Sequence, residues 1–329
     1  MTLDGAGLLA RLPAIRGRLE PMRPLGPLSW LRVGGPAEVL ATPADAEDLA
    51  ALMRGTPADV AVTPLGLASN LIIRDGGLPG LAIRLGRGFA GIEAAPGARL
   101  RLGAAVPDAR AAEAAAEAGI AGLEFLRTIP GAIGGGVRMN AGCYGAYMAD
   151  VLESATAVTR DGRTVTLTPA EIGFAYRASA IPADLVITEV VLRGTPDAPE
   201  AIRARMAEAM ARRAASQPVD ERSCGSTFAN PAGYSSTGAS DDPMDLKAWA
   251  LIDRAGCRGL RLGGAVMSEK HANFLVNAGG ATAADLETLG ETVRKRVFEA
   301  TGIWLEWEIR RIGIPEAPDR PGPNPGGEQ

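Results

Sequence analysis

Aromatic side chains make up only 4% of the 329 residues, histidine occurs once, and lysine appears only at Lys247, Lys270 and Lys295. So few aromatics argue against a nucleic-acid reader built on stacked bases. A formal net charge of −4 with no basic run leaves nothing to track a phosphate backbone. No nucleic-acid partner is expected. The three cysteines, Cys143, Cys224 and Cys257, are far apart and form no C-x-x-C, so neither a zinc site nor a redox dithiol is indicated, and no metal is expected. Their odd number and the lack of a secretory leader point to a reducing cytoplasm. No apolar run approaches bilayer-spanning length, so membrane insertion is not expected.

The chain is 47% hydrophobic and 22% charged, ordinary globular usage, and it is long enough for two or three domains. Its 42 glycines and 24 prolines are spread throughout, which implies many short elements joined by tight turns. The first twenty residues alternate charged and apolar positions like an amphipathic helix. Helix 44–53 after Thr42-Pro43 is followed by strands 60–62, 71–73, 81–85 and 99–103, then by the alanine-rich helix 107–118 closed by Gly119. Asp161-Gly162 marks a hairpin within 151–167. Strand 184–192 and helix 198–215 precede a composition change at Ser216-Gln217-Pro218, where a domain boundary is placed. Beyond it the pattern predicts helix 246–255, strand 273–277, helix 283–301 and a last strand 304–312. The tail after Pro315 lacks apolar residues and is expected to be disordered.

A literal G-x-G-x-x-G stands at Gly86, Gly88 and Gly91, but a strand pattern and a proline follow instead of a helix, so it reads as a chance match. Two other segments suit an anion better. In Thr63–Asn70, small residues join two strands, and the Ser69 and Asn70 side chains add donors; alone, the segment could equally be an ordinary turn. In the second, six glycines fall within the fifteen residues 131–145, interleaved with Ile, Val, Met and Tyr, unlike a linker, which favours close approach to a large flat ligand or a diphosphate. Three further positions carry chemistry. Arg177 could hold a carboxylate or form a surface ion pair. Ser226 stands between Gly225 and Thr227 in what is otherwise a turn. Glu306 and Glu308 share one face of the last strand, and pattern alone does not choose between them. A Ser226–His271 hydrolase pair lacks a G-x-S-x-G elbow, so His271 reads as a polar loop residue.

In chain order, Arg32–Ala37, Pro64–Leu71, Ile129-Pro130-Gly131 with Asn140-Ala141-Gly142, Tyr176–Ser179, Cys224–Phe228 and Trp304–Arg310 resemble the UDP-N-acetylenolpyruvoylglucosamine reductase (MurB) family. The resemblance covers roughly residues 25–313. It implies an α+β fold: a two-part FAD-binding domain of the vanillyl-alcohol-oxidase (PCMH) type over 25–215, split near residue 90, and a C-terminal α+β substrate-binding domain over 216–302. An N-terminal helical segment over 1–24, a final strand over 303–313 returning to the FAD domain, and a disordered tail over 314–329 complete it. For FAD, the first glycine-rich segment would supply Leu65, Gly66, Leu67, Ala68, Ser69, Asn70 and Leu71. The second would supply Thr128, Pro130, Gly131, Ala132, Ile133, Gly134, Gly135, Asn140, Ala141, Gly142, Tyr144 and Gly145.

The resemblance also implies the reaction. NADPH would reduce the flavin, and the enolpyruvyl ether of UDP-N-acetylglucosamine would then be reduced to UDP-N-acetylmuramate for peptidoglycan synthesis. Arg177 and Glu308 would hold and polarise the substrate carboxylate, and Ser226 would deliver a proton. Tyr176, Gln217, Asn230, His271 and Asn273 would bind the nucleotide sugar, and the protein is expected to be a monomer. Only 48 residues separate Arg177 from Ser226, which resembles the family's second type, lacking an inserted tyrosine loop. Ala68 replaces a glycine usual in the family, and Ala229 a common lysine. The competing readings are a flavoenzyme of the same fold that oxidises a small alcohol or hydroxy acid, and a nucleotide-sugar binder that has lost its flavin. The first would be reoxidised rapidly by oxygen without any UDP-sugar; the second would be colourless.

Overall fold

The computed structural model describes residues 2–235 and 246–315; the expected disorder of the tail from residue 316 onward lies outside the described residues. Three sheets carry the architecture. In the first, the strand order is Arg18–Pro24, Pro36–Thr42, Leu78–Arg84, Val62–Leu65, with the outer pair antiparallel and the other two pairings parallel. Its faces are both covered. Leu49, Leu52 and Met53 of helix Ala46–Gly55 pack on Val39, Leu81 and Ile83, while Leu40, Ala82, Leu65 and Ile73 form a second core behind it. Burial on both faces is why Pro36–Thr42 reads as a nearly continuous apolar run instead of an alternating one.

The second sheet is antiparallel, in the order Thr164–Leu167, Leu152–Val158, Val186–Arg193, Arg99–Gly103, Ile92–Ala95. Helices Asp108–Glu117 and Pro199–Ser216 share its core with Leu100, Leu102, Val190 and Leu192. The alanine face of the first of these helices (Ala111, Ala112, Ala115, Ala116) lets it lie close against its neighbours. The third sheet orders Ser223–Ser226, Phe274–Asn277, Ala265–Met267, Arg261–Leu262 under helices Ala248–Arg254 and Ala283–Thr301. The last segment then crosses back: Arg310–Ile312 pairs in parallel with Leu71–Ile73. Asp75 reinforces the junction by accepting from the N–H groups of Ala283 and Ala284, both at 3.0 Å, at the start of the long helix.

Four expectations need correction. The N-terminal stretch is not one helix. Asp4 caps a helix over Gly5–Leu9 only, and Arg18–Pro24 becomes an edge strand on Pro36–Thr42. Pro13 and Gly17 between them cannot continue a helix, and the strand's partner lies beyond the reach of local pattern. Second, the glycine-rich stretch 131–145 is not all loop: Ile133–Arg138 is helical, anchored by Ile133 and Val137, four residues apart and both fully buried. Third, the last strand is confined to Arg310–Ile312, preceded by a single bridge between Phe228 and Trp307. Fourth, Glu306 and Glu308 do not share a face. Glu306 is exposed and Glu308 is turned inward, because the N–H groups of both Glu308 and Ile309 converge on Thr227 O and interrupt the alternation. The Gly86–Gly91 stretch is a 3-10 turn linking the first two sheets, and a Cβ on Gly88 would stand 1.9 Å from Ala44 O, so packing explains that glycine.

Candidate active site

Two adjoining cavities run along the junction of the three sheets. The first, about 370 Å³, lies between the first two sheets; the second, about 260 Å³, opens toward the third. Both are lined by Gly66, Leu67, Ala132, Gly135 and Arg138, so the two glycine-rich segments meet where the cavities join.

This junction suits a long cofactor bent over glycine. A Cβ built on Gly66 or on Gly135 meets no protein atom within 4 Å, so each glycine leaves its space to the cleft. Among the described residues the backbone N–H groups of Gly66, Leu67, Ala68, Ser69 and Asn70 find no protein acceptor. Donors left unpaired around such a cradle suit the phosphate oxygens of a dinucleotide. Ala68 holds φ +51°, a region where glycine is at home and a methyl group is strained. Asn140, Tyr144 and Arg177 also have positive φ, at +43°, +51° and +54°. Four such non-glycine residues in the segments around one cleft are strain of the kind that collects at functional sites.

Arg177 and Glu308 meet in the second cavity. Arg177 Nε lies 2.9 Å from Glu308 Oε1, with only 19% and 13% of the two side chains exposed. The pair is an ion contact without hydrogen-bond alignment at Nε, while the guanidinium also donates to Gly142 O at 2.8 Å. Burial pushes the Glu308 carboxyl above the usual range, and Arg177 opposes that rise. Burial likewise works against the charge of Arg177, but Glu308 and nearby phenols hold its pKa up. Ser226 lines the same cavity and ends strand Ser223–Ser226 beyond a register shift and Gly225 at φ +82°. Such a bulge re-aims the residue that follows it. Its hydroxyl makes no hydrogen bond to the described residues, leaving it for a ligand.

Residues 217–312 match the family model described as UDP-N-acetylenolpyruvoylglucosamine reductase, C-terminal domain, and residues 37–168 match that of an FAD binding domain. A UDP-N-acetylenolpyruvoylglucosamine reductase of Ruegeria pomeroyi is 59% identical over 302 residues, 92% of this chain and 97% of that one. The one from Dinoroseobacter shibae is 60% identical over 303 residues, with the same coverage. The chain belongs to this reductase family. The crystal structure of the reductase from Thermus caldophilus superposes with a TM-score of 0.76 at 34% identity, over 91% of this chain and all of that one. The α+β architecture with a PCMH-type FAD-binding domain and a reductase C-terminal domain follows from these matches.

Within this reductase fold the nominated residues divide into those that reach the cleft and those that brace it. Gly66, Leu67, Ala68, Ser69, Asn70 and Leu71 line the second cavity, and Leu65 lines the first. Thr128, Pro130, Gly131, Ala132, Gly135, Ala141 and Gly142 also line the second, with Gly134 on the first. Arg177, Gln217, Ser226 and Glu308 complete that wall.

The remainder do not line either described cavity. Ile133 is a core residue. Asn140 is spent on the backbone, donating to Ala175 O and accepting from Ala149 N, both at 3.0 Å. Asn273 clamps Phe228 through both its N–H and its C=O, and Asn230 ties Tyr234 O to Ala248 N. Tyr144 lies under Arg212, next to Gly145 at φ +83°, and Tyr176 packs on the Arg177 guanidinium. His271 is half-buried between Phe274 and Trp249, with Nδ1 accepting from Asn273 N; burial, aided by Arg258, lowers its pKa to about 4.

Four charged residues on the second cavity's wall are not nominated by the sequence: Asp108, Arg138, Arg213 and Arg310. Arg310 was within sight, two positions beyond Glu308 in a matched segment. Arg213 lies one helical turn before Gln217. Neither Arg138 nor Asp108 carried any signal, since a basic last turn and an acidic first turn are ordinary helix features.

Proposed function

We propose that this protein reduces the enolpyruvyl ether of UDP-N-acetylglucosamine to UDP-N-acetylmuramate, with FAD in the cleft and NADPH as the reductant. The observation that carries this is the Arg177–Glu308 pair lining the same cavity as Ser226, whose hydroxyl has no hydrogen-bond partner among the described residues, in a chain of the reductase family. When bound, FAD supplies two-electron chemistry, linking oxidation of the nicotinamide to reduction of the alkene.

Arg177 offers its guanidinium to the substrate carboxylate. As hydride reaches the terminal carbon of the enolpyruvyl group, negative charge develops on the carbon bearing the ether oxygen and spreads into that carboxylate. Charge that grows during the reaction is what preorganised donors stabilise best. Burial raises the Glu308 carboxyl and Arg177 opposes that rise; in its protonated form Glu308 would donate a hydrogen bond to the same charge. The Ser226 hydroxyl then gives its proton to the ether-bearing carbon, completing the lactyl product. Arg213, Arg310 and Gln217 line the same cavity and supply cationic and amide donors for the sugar nucleotide's diphosphate. Asn230, Asn273, Tyr176 and His271 act by positioning, through the contacts described above.

The same reading includes a cytoplasmic enzyme, which three free thiols support, acting as a monomer. Among the described residues no helix is long and apolar enough to cross a membrane. The test is NADPH oxidation by the purified FAD-loaded protein. Turnover that requires the enolpyruvyl substrate and yields UDP-N-acetylmuramate supports the proposal. NADPH consumption that ignores the UDP-sugar and tracks dissolved oxygen would point to an oxidase of the same fold.

A further inference from the structure

Asp108 lies outside the mechanism just described and is unlike the other buried acid of the FAD-binding half. Asp48 is satisfied, accepting from the backbone N–H groups of Arg16, Gly17 and Ala44. Asp108 is 1% exposed, and neither carboxyl oxygen has a hydrogen-bond partner.

Its position follows from the chain. It is the first residue of helix Asp108–Glu117, and its own N–H donates to Gly131 O at 3.1 Å, which holds the side chain against the second glycine-rich segment. A Cβ on Gly131 would stand 2.7 Å from Asp108 Oδ2 and 3.4 Å from Ser69 Oγ, and one on Gly136 would stand 3.6 Å from Asp108 Oδ1. Glycine at 131 is therefore what lets the Asp108 carboxyl pack against this backbone, with the Ser69 hydroxyl close to the same spot. Asp108, Ser69 and Gly131 all line the second cavity and not the first. Burial pushes the Asp108 carboxyl up to about 8, so at neutral pH it is largely protonated and can both donate and accept. A buried carboxyl that the chain leaves unsatisfied calls for an explanation beyond the chain's own hydrogen bonds, and a ligand of the cavity it lines is one.

We infer that Asp108 is a cofactor-binding residue which, together with Ser69, hydrogen-bonds a hydroxyl of the ribityl chain of FAD. The inference rests on the FAD reading of the cleft. The cradle at Gly66 and Gly135 marks the diphosphate, and Arg177, Ser226 and Glu308 mark the reacting end of the ring. The part of FAD between diphosphate and ring is the ribityl chain, a row of hydroxyls. Asp108 lines the same cavity as Arg177, Ser226 and Glu308 and is absent from the other cavity that the cradle borders; there a neutral acid suits a hydroxyl and an ionised one would repel the diphosphate.

The experiment is fluorescence titration of the flavin-stripped full-length protein, with FAD and with FAD analogues lacking one ribityl hydroxyl each. Wild type should bind FAD and lose about tenfold in affinity for one of the deoxy analogues. Asp108→Leu should weaken FAD by about tenfold and no longer discriminate against that analogue. Asp108→Asn, which keeps a donor and an acceptor, should stay within about threefold of wild type, and it carries the test if the leucine variant does not fold. Bound flavin should keep its visible spectrum in all variants, since the ring is untouched. Undiminished FAD affinity in Asp108→Leu, or unchanged discrimination in the folded variants, would overturn the inference while leaving the FAD reading intact. A shifted ring spectrum would also overturn it. Failure of wild type itself to bind FAD would overturn both.

Discussion

Gly66→Ala and Gly135→Ala separate a glycine kept for a ligand from a glycine kept for the fold. Neither residue has positive φ, and a Cβ on either meets nothing within 4 Å. The apoprotein should therefore accept the methyl group without strain. Replacing glycine at a compatible position restricts the unfolded chain and stabilises by about 0.4–1 kcal/mol, and Gly135 gains helix propensity besides, since it lies within Ile133–Arg138. For a protein of this size the melting temperature should rise by about 1–3 °C. FAD sees the opposite. Both Cβ atoms enter the junction shared by the two cavities, and crowding a close-packed contact costs about 1–3 kcal/mol, so the dissociation constant should rise about 5- to 150-fold. Gly88→Ala is the contrast, because its Cβ would stand 1.9 Å from Ala44 O; it should destabilise the apoprotein. Differential scanning fluorimetry and flavin fluorescence titration read the two effects separately. Wild-type FAD affinity in both cradle variants, or loss of more than about 1 kcal/mol of apoprotein stability, would refute the argument.

Three further predictions follow from the same geometry. Ser226→Ala should leave flavin reduction by NADPH intact and slow the substrate half-reaction by about 10²–10⁴-fold, with Ser226→Cys retaining more; equal slowing of both half-reactions in stopped flow would exclude proton donation. Because burial raises the Glu308 carboxyl, its protonated form persists above the ordinary range and is lost as pH rises through the raised value. The substrate half-reaction should accordingly fall on the alkaline side, and Glu308→Gln, still a donor, should lack that limb; a rate that rises with pH in wild type would contradict the assignment. The lone His271, lowered to about 4, should show no NMR titration between about pH 6 and 8. Since its folded pKa lies below the unfolded one, stability should decline as pH falls from about 6.5 toward 4, and titration near its ordinary value would show that the imidazole is solvated.

What could be read in advance was local in origin. Thr282 and Asp285 form a reciprocal cap and Gly302 closes in the left-handed region, so helix Ala283–Thr301 announces both its ends. Asp161-Gly162, with Gly162 at φ +78°, marks its hairpin for the same reason. Whatever depended on distant partners was hidden. The edge strand Arg18–Pro24 exists because Pro36–Thr42 is there to pair with it. Asn140 and Asn273 sit in motifs that suggest ligands, yet each carboxamide already donates one hydrogen bond to the backbone and accepts one from it, chiefly with distant segments. Asp108 has the opposite history: it looks like an ordinary first-turn acid, and only the packed structure leaves it without a partner facing the cleft.

The most direct test of the central claim is an anaerobic half-reaction. The FAD-loaded protein is reduced with one equivalent of NADPH and then mixed with the enolpyruvyl ether of UDP-N-acetylglucosamine under argon. The account predicts full recovery of the oxidised flavin spectrum and one equivalent of UDP-N-acetylmuramate. A flavin that stays reduced with the sugar nucleotide and recovers only when air is admitted would contradict it.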